Sequence, residues 1–333
     1  MAMIPRSQSW NTIERKSKLS EYHFFKGNLA DLDPEERVIE YTVNTPLFSN
    51  YAEKLRFIKL PENSAIGFKD SAVFDLPRGT VLIKNFYYPI DFRKPDGQRK
   101  IIETRLLVHQ PGGWEAWPYI WNDEQTEAEY DPAGDTKTVN YIDGKGRKKN
   151  VPYAIPNKNQ CKGCHVSGNK MMPIGLTARQ LNGTIMVENT ELNQLQFWQD
   201  KKMLDVAKLP DVAGAMPVWT DKSRPLEQRA RAYLDANCGH CHSRTGPAST
   251  SALFLDYFET DPLHLGVNKS PVAAGRGAGN LSYDIVPGKP EQSILLFRMK
   301  TNDPAIAMPE LGREQVHDEG VQLIEEWIRK GKF

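Results

Sequence analysis

The sequence predicts an α+β chain of several domains, in which an antiparallel β sandwich or barrel comes first and two mainly α domains follow. Two observations predict this order. Segments rich in β-branched and aromatic residues, separated by turn residues, fill the first part, and helical spacing of apolar residues begins after Pro156. The 333 residues are enough for two or three hydrophobic cores. We place the domains at 1–155, 156–222 and 223–333.

The first domain contains segments with the composition of strands, and tight turns join several of them. The predicted strands are 37–43, 55–60, 80–88, 101–109, 114–121, 138–142 and a segment that ends at Tyr153. Turn residues at 95–97, 111–113 and 143–146 predict hairpins. Trp117, Tyr119 and Trp121 alternate along one strand, and we interpret them as core residues and not as a ligand platform.

Apolar spacing predicts three helices in the later domains. The first contains Leu192, Leu195 and Trp198, with Thr190 as its N-cap. The second begins after Pro225 and runs into the second cysteine segment. The third covers 318–330, and its acidic first turn and basic last turn match the helix dipole.

Charge and hydropathy exclude two classes of partner. The net charge is +1, whereas general nucleic-acid binding rests on a marked basic excess. No run of 18 apolar residues occurs, so the sequence predicts no transmembrane segment. We therefore expect neither a nucleic-acid partner nor a membrane span.

All four cysteines lie in two C-x-x-C-H segments, Cys161, Cys164 and His165 in the first and Cys238, Cys241 and His242 in the second. This spacing is the attachment signature of c-type haem, because two thiols bond the two vinyl groups of one haem edge and the adjacent histidine binds the iron. The sequence therefore predicts two covalently bound haem c groups, with His165 and His242 as proximal iron ligands. A four-cysteine zinc site and redox dithiols are the alternatives, although the 74 positions between Cys164 and Cys238 exceed the usual zinc spacing.

Residues 225–333 resemble a class I c-type cytochrome domain. An amphipathic helix precedes the second cysteine segment, Met308 and Pro309 follow it, and a helix closes the chain. The resemblance implies that His242 and Met308 are the two axial ligands of haem 2.

The sixth ligand of haem 1 stays open between Met172, Met216, His109 and no protein ligand at all. Met172 lies close to His165 in the sequence, Met216 lies beyond the following helix, and His109 would come from the β domain. The difference matters because an open iron, with a free coordination position, binds small ligands. A closed iron, with two axial ligands from the protein, only passes electrons.

The whole chain also resembles a family of bacterial di-haem cytochrome-like proteins with an N-terminal β domain. The resemblance rests on the segments 159–165, 174–182, 229–237, 103–107 and 121–126. It implies export and haem attachment but indicates no substrate.

These features together predict a periplasmic or secreted di-haem c-type cytochrome that transfers electrons between its two haems and a redox partner protein. The native gene is expected to encode a signal peptide that has been removed from this sequence. The alternative is a peroxidase-like di-haem oxidoreductase with an open iron at haem 1 and haem 2 as electron relay. In a third hypothesis, a small-molecule ligand binds at haem 1 or in the β domain.

Overall fold

The structure is a computed structural model and describes residues 12–209 and 214–333. In chain order, its strands are β1 (Phe25–Lys26), β2 (Asp33–Pro34), β3 (Val38–Glu40), β4 (Glu53–Lys59), β5 (Ile66–Gly67), β6 (Val81–Pro89), β7 (Arg99–Gln110), β8 (Gly113–Trp121), β9 (Ala128–Tyr130), β10 (Asp135–Ile142), β11 (Lys148–Ile155), β12 (Val166–Ser167), β13 (Lys170–Met171), β14 (Thr184–Val187), β15 (Thr190–Asn193) and β16 (Leu204–Asp205). Its α helices are α1 (Lys158–Cys164), α2 (Ala178–Leu181), α3 (Gln194–Asp200), α4 (Leu226–Leu234), α5 (Ile294–Met299) and α6 (Asp318–Lys330).

A six-stranded antiparallel sheet with the order β3-β4-β6-β7-β8-β9 forms the centre of the N-terminal half. The turns at 95–97 and 111–113 join β6 to β7 and β7 to β8, as the sequence predicts. The turn at 143–146 joins β10 to β11, which form a separate two-stranded sheet.

The first face of this sheet is covered by the chain that precedes it. Leu19, Phe24 and Leu32 pack there against Phe57, Ile83 and Leu106 of the strands. Trp117, Tyr119 and Trp121 belong to the same cluster and are at most 2% exposed. The interpretation of these aromatics as core residues is confirmed.

The second face of the sheet has two apolar ends and a charged middle. At one end, Leu82 and Leu107 pack with α3, in a cluster that includes Trp198. At the other end, Phe86 and Tyr88 pack against the β10–β11 hairpin. Polar side chains of β4, β6 and β7 lie between these two clusters and form part of the wall of a cavity.

Helices α4, α5 and α6 form a separate core in the C-terminal part. Leu234, Leu296, Ile324, Trp327 and Ile328 are each at most 1% exposed in this core. The helices predicted after Pro225 and over 318–330 are confirmed as α4 and α6. Gly331 ends α6 in a left-handed conformation, with φ 62°, as is common at helix C-termini.

The predicted fold class is wrong. The described part of the N-terminal half is an open sheet with a separate hairpin, and the chain after Pro156 does not form two mainly α domains. Its helices are short, and α6 with 13 residues is the longest that the structure describes. Strands β12–β16 and long irregular segments lie between them.

Local spacing explains one part of the error. Leu192 and Leu195 fit a helical repeat, yet Leu192 belongs to β15, which pairs with β14. The N-cap of α3 is Asn193 and not Thr190, because the Asn193 side chain accepts a 3.0 Å hydrogen bond from the Gln196 amide. In the described ranges, no helix has the length and apolar character needed to cross a membrane.

The contact between α4 and α6 depends on a glycine. A Cβ at Gly320 would overlap the ring and hydroxyl of Tyr233, which is 4% exposed and lies 2.9 Å from His317 Nδ1 through its hydroxyl. We expect Gly320→Ala to lower the free energy of unfolding by about 1–3 kcal/mol, as overpacking does, despite the better helix propensity of alanine. Urea denaturation followed by tryptophan fluorescence measures this.

Gly144 provides the control, since a Cβ there meets open space. Gly144→Ala should change stability by less than about 0.5 kcal/mol. A Gly320→Ala variant as stable as the wild type would show that α4 and α6 do not approach this closely.

Candidate functional site

The first cysteine segment begins at a well-capped helix. The Asn157 side chain accepts a hydrogen bond from the Gln160 amide, and the Gln160 side chain accepts one from the Asn157 amide, both at 2.9 Å. This capping box fixes α1 at the end of β11, so that Cys161 points into the core and is 7% exposed. Cys164 and His165, at the end of α1, line the cavity beside the sheet.

The second cysteine segment follows α4 through a single π-helical turn, Asp235–Gly239. Such turns are often found at functional sites. The Asn237 side chain donates to Tyr233 O at 2.9 Å and accepts from the Phe48 amide at 2.8 Å. These bonds hold Cys238 and His240 against the cavity that Cys164 also lines.

Both segments border one cavity of about 580 Å³, within the size range of small-molecule sites. Its other walls come from the second face of the sheet and from the loop 308–313. The two segments are tied to each other directly, because Gly168 N donates to Thr245 O at 2.8 Å and the Ser167 and Thr245 hydroxyls lie 3.0 Å apart.

The four cysteines are free thiols with different environments. The interaction of Cys164 with Cys241 lowers the pKa of Cys164 and raises the pKa of Cys241. The neighbouring His240 side chain lowers the pKa of Cys164 further. Burial raises the pKa of Cys161 and raises that of Cys238 to about 12. Cys164 is therefore the cysteine most readily present as a thiolate, the nucleophilic form.

The histidines that follow the cysteines are neutral at pH 7. Burial lowers the pKa of both His165 and His242 to about 4. His165 Nδ1 lies 2.9 Å from Met172 O, and His242 Nδ1 lies 3.5 Å from Ser251 Oγ. In each ring, the Nδ1 atom is thus directed at a neighbouring oxygen.

The remaining predicted ligands lie in different places. Met172 and Met308 line the cavity. Met216 is 2% exposed and its amide donates to Arg179 O at 2.7 Å. His109 stacks on Trp114 with ring centroids 4.4 Å apart, and its Nδ1 lies 2.9 Å from Leu76 O. His109 thus has a structural role at the end of β7.

No family model, no curated protein and no solved structure matches this chain. The resemblance to a class I c-type cytochrome domain and to a di-haem cytochrome-like family is therefore corrected, since neither a family match nor a mainly helical domain supports it.

The predicted cofactor is corrected as well. Within 12–209 and 214–333, no group of three or more His, Cys, Asp or Glu side chains is arranged to hold a metal ion. The prediction of two covalently bound haem c groups, with His165, His242 and Met308 as iron ligands, is withdrawn, and so is the four-cysteine zinc alternative. The physical reason is that a C-x-x-C-H segment fixes the spacing of groups along the chain and not the assembly of a complete site around them.

Two further histidines contribute to this region. The His317 ring stacks on Phe48 with centroids 4.1 Å apart, and its side chain is 12% exposed. His240 lines the cavity and lowers the pKa of the neighbouring Cys164. Neither position has a local sequence signal, because each depends on contacts between distant segments.

A row of cations on the sheet has no signal in the sequence. Arg56 of β4 lies opposite Lys84 of β6, and Lys84 lies opposite Arg105 of β7. Glu103 is 0% exposed and accepts a 2.7 Å bond from Arg105 Nε and another, also at 2.7 Å, from the Tyr153 hydroxyl. Only strand register brings these residues together, and register is not visible in the sequence.

Glu103 is the buried counter-charge of this row, so Glu103→Gln should destabilise the fold. Removing one partner of a buried ion pair leaves the other charge uncompensated, and we expect a loss of about 3 kcal/mol in the free energy of unfolding. Asp123→Asn is the control, since Asp123 pairs with Lys100 at 2.9 Å on the surface and should contribute less than about 1 kcal/mol. Equal decreases in the free energy of unfolding of Glu103→Gln and Asp123→Asn, measured by urea denaturation, would contradict the role of Glu103 as a buried counter-charge.

Lys54 makes stability depend on pH. Its ammonium donates to Leu47 O at 2.9 Å, and burial lowers its pKa from 10.5 to about 7. Between pH 7 and pH 10 the unfolded chain holds a proton that the folded chain has lost, so this group makes stability rise with pH. Between pH 7 and pH 10, the free energy of unfolding of the wild type should therefore rise relative to that of Lys54→Met. Lys94→Met, at an exposed position, should follow the wild type at both pH values.

Proposed function

We propose that this protein is a thiol-based redox protein that exchanges electrons with a partner protein. The observation that carries the proposal is that the bonds of Ser167 and Gly168 to Thr245 tie the two cysteine segments together, so that Cys164 and Cys241 shift each other's pKa in opposite directions. Two thiols on adjoining segments are the starting arrangement for reversible disulfide formation.

The surroundings of this pair support the proposal. The bonds from Ser167 and Gly168 to Thr245 hold the two segments in register beside the thiols. The lowered pKa of Cys164 favours its thiolate, while the raised pKa of Cys241 keeps that thiol protonated. Both residues are partly exposed, so a partner's sulfur can approach them.

The exchange proceeds in two balanced steps. The Cys164 thiolate attacks one sulfur of the partner's disulfide, and the other partner sulfur leaves as a thiolate. Cys241 then loses its proton and attacks Cys164 Sγ, which releases the second partner sulfur. The products are a Cys164–Cys241 disulfide and a reduced partner dithiol, and two electrons have passed from this protein to the partner. The reverse sequence reduces the Cys164–Cys241 disulfide.

The proposal places the protein in the periplasm or outside the cell. Protein disulfides persist in oxidising compartments and are rare in the cytosol. Cell fractionation of the native host, with a cytosolic enzyme as marker, tests this location.

The redox proposal is tested on the full chain in glutathione buffers of increasing oxidising strength. Peptide mapping without reductant should recover a cross-linked pair of peptides containing Cys164 and Cys241, and the oxidised protein should be about 2 Da lighter. Cys164→Ser and Cys241→Ser should each abolish this cross-link. Cys238→Ser should retain it, because burial keeps the pKa of Cys238 high and its thiol protonated.

Three results would overturn the proposal. The first is a pair of thiols that stay reduced at potentials where protein disulfides form. The second is a cross-link within one segment, such as Cys161 with Cys164, in place of the predicted one. The third is an intact mass of the purified protein that shows the cysteines already bonded to another group.

A further inference from the structure

The row of Arg56, Lys84 and Arg105 is an unusual feature for the interior face of a sheet. The three residues lie directly opposite one another on adjacent strands. Like charges in directly opposed positions destabilise a sheet. All three border the cavity and none is fully exposed to solvent. A sheet that only had to be stable would not place three cations here.

The protein's own groups do not neutralise the row. Arg105 pairs with Glu103, which is the one carboxylate in direct contact with the row among the described residues. Lys84 and Arg56 form no ion pair and donate no side-chain hydrogen bond within the part of the chain that the structure describes. The Lys84 ammonium lies 4.9 Å from the Phe86 ring centroid, an aromatic contact that offsets only a small part of the charge. Arg56 and Lys84 are therefore left without a counter-charge at the cavity, and burial together with the neighbouring cations lowers the pKa of Lys84 well below its usual value of 10.5.

Apolar side chains form another part of the cavity wall. Leu82 and Leu107 flank the cations on the sheet, and Pro173, Met308 and Leu311 border the cavity from the other segments. A pocket with apolar walls and a few convergent charged groups fits a ligand with an apolar body and a charged head. Guanidinium and ammonium groups bind carboxylates through charge-assisted hydrogen bonds.

We propose that this cavity binds an organic carboxylate with an apolar body, whose negative charge lies against Arg56, Lys84 and Arg105. The cavity of about 580 Å³ is large enough for a ligand of small-molecule size. This site goes beyond the redox function and does not depend on it, because the three cations lie on the sheet and not on the cysteine segments.

The proposal also predicts that Lys84 lowers the stability of the ligand-free protein and strengthens its binding of the carboxylate. A buried ammonium without a partner costs free energy in the empty protein, and a ligand carboxylate removes that cost. Replacing Lys84 by methionine should therefore raise the unfolding temperature of the ligand-free protein and weaken binding at the same time. A residue with a purely structural role would lower the unfolding temperature when replaced.

Isothermal titration calorimetry of the full chain tests the site with two probes of equal length, decanoate and decanol. Decanoate should bind at least about tenfold more tightly than decanol, since only decanoate carries a charge for the row. Lys84→Met should weaken decanoate binding about tenfold and leave decanol unchanged. Lys59→Met is the matched control, because Lys59 lies on β4 with its ammonium over the Phe24 ring on the opposite face of the sheet. The Lys59→Met variant should bind decanoate with the same affinity as the wild type.

The outcomes separate the possible explanations. Equal affinity for decanoate and decanol would show that the cavity is only apolar and would overturn the proposal. Binding of inorganic phosphate as tight as that of decanoate would show that the row holds a small anion and that the apolar wall contributes nothing. A lower unfolding temperature of Lys84→Met would show that Lys84 is stabilised by a contact within the protein. Repeating the titration with Cys241→Ser, which removes one thiol of the redox pair outside the cavity lining, keeps this test independent of the redox proposal, since its affinity for decanoate should be unchanged.

Discussion

The contacts of one segment, residues 42–51, hold the sheet, α3 and the second cysteine segment together. Gln194, which is 0% exposed, accepts from the Thr42 amide at 2.8 Å and donates to Thr42 O at 3.1 Å. Phe48 N donates to the Asn237 side chain next to Cys238. Asn50 O accepts from the Tyr88 hydroxyl of β6 at 2.6 Å, and Asn50 Oδ1 accepts from the amides of Glu314 and Gln315 at 2.6 and 3.1 Å. Because the same ten residues contact several walls of the cavity, the shape of the cavity depends on them.

The backbone of this segment shows why it can make so many contacts. Asn50 and Tyr51 both have a positive φ, 52° and 64°. Asparagine adopts this left-handed conformation readily, whereas for a tyrosine it costs about 1–2 kcal/mol. The rings of Phe48 and His317, with centroids 5.0 and 5.8 Å from the Tyr51 ring, offset that cost. The resulting sharp turn directs Asn50 toward the loop 308–315 and leads the chain into β4.

The sequence predicts the parts of the fold that rest on local signals. Turn residues and alternating apolar positions predict the hairpins of β6, β7 and β8, and capping and periodicity predict α4 and α6. Residues 42–51 have no periodic pattern, so their role is invisible until the distant Gln194 and Asn237 are in place. The cation row is hidden for a related reason. Arg56, Lys84 and Arg105 are separate polar residues in the sequence, and only the pairing of three strands aligns them.

The candidate site was predicted in part. The sequence draws attention to both cysteine segments, and the structure brings these two segments to one cavity. The haem attachment predicted for these segments was wrong, because a spacing of two cysteines and a histidine is compatible with more than one kind of site. What decides between these kinds is the set of side chains that surrounds the motif. Here that set includes the partner cysteine from the other segment, His240 and a sheet face of unpaired cations.

The cation row and the thiol pair impose opposite demands on the same cavity. Unpaired ammonium and guanidinium groups favour water or an anion beside them, whereas a thiolate attacks most readily when it is accessible and weakly solvated. The two sets of groups come from different elements, the cations from the sheet and the thiols from the two cysteine segments. The sheet tolerates the charges because apolar clusters hold its second face at both ends and Glu103 neutralises one of them. Residues that destabilise only one stretch of the sheet are expected where ligand binding, and not folding stability, determines which side chains occupy that stretch.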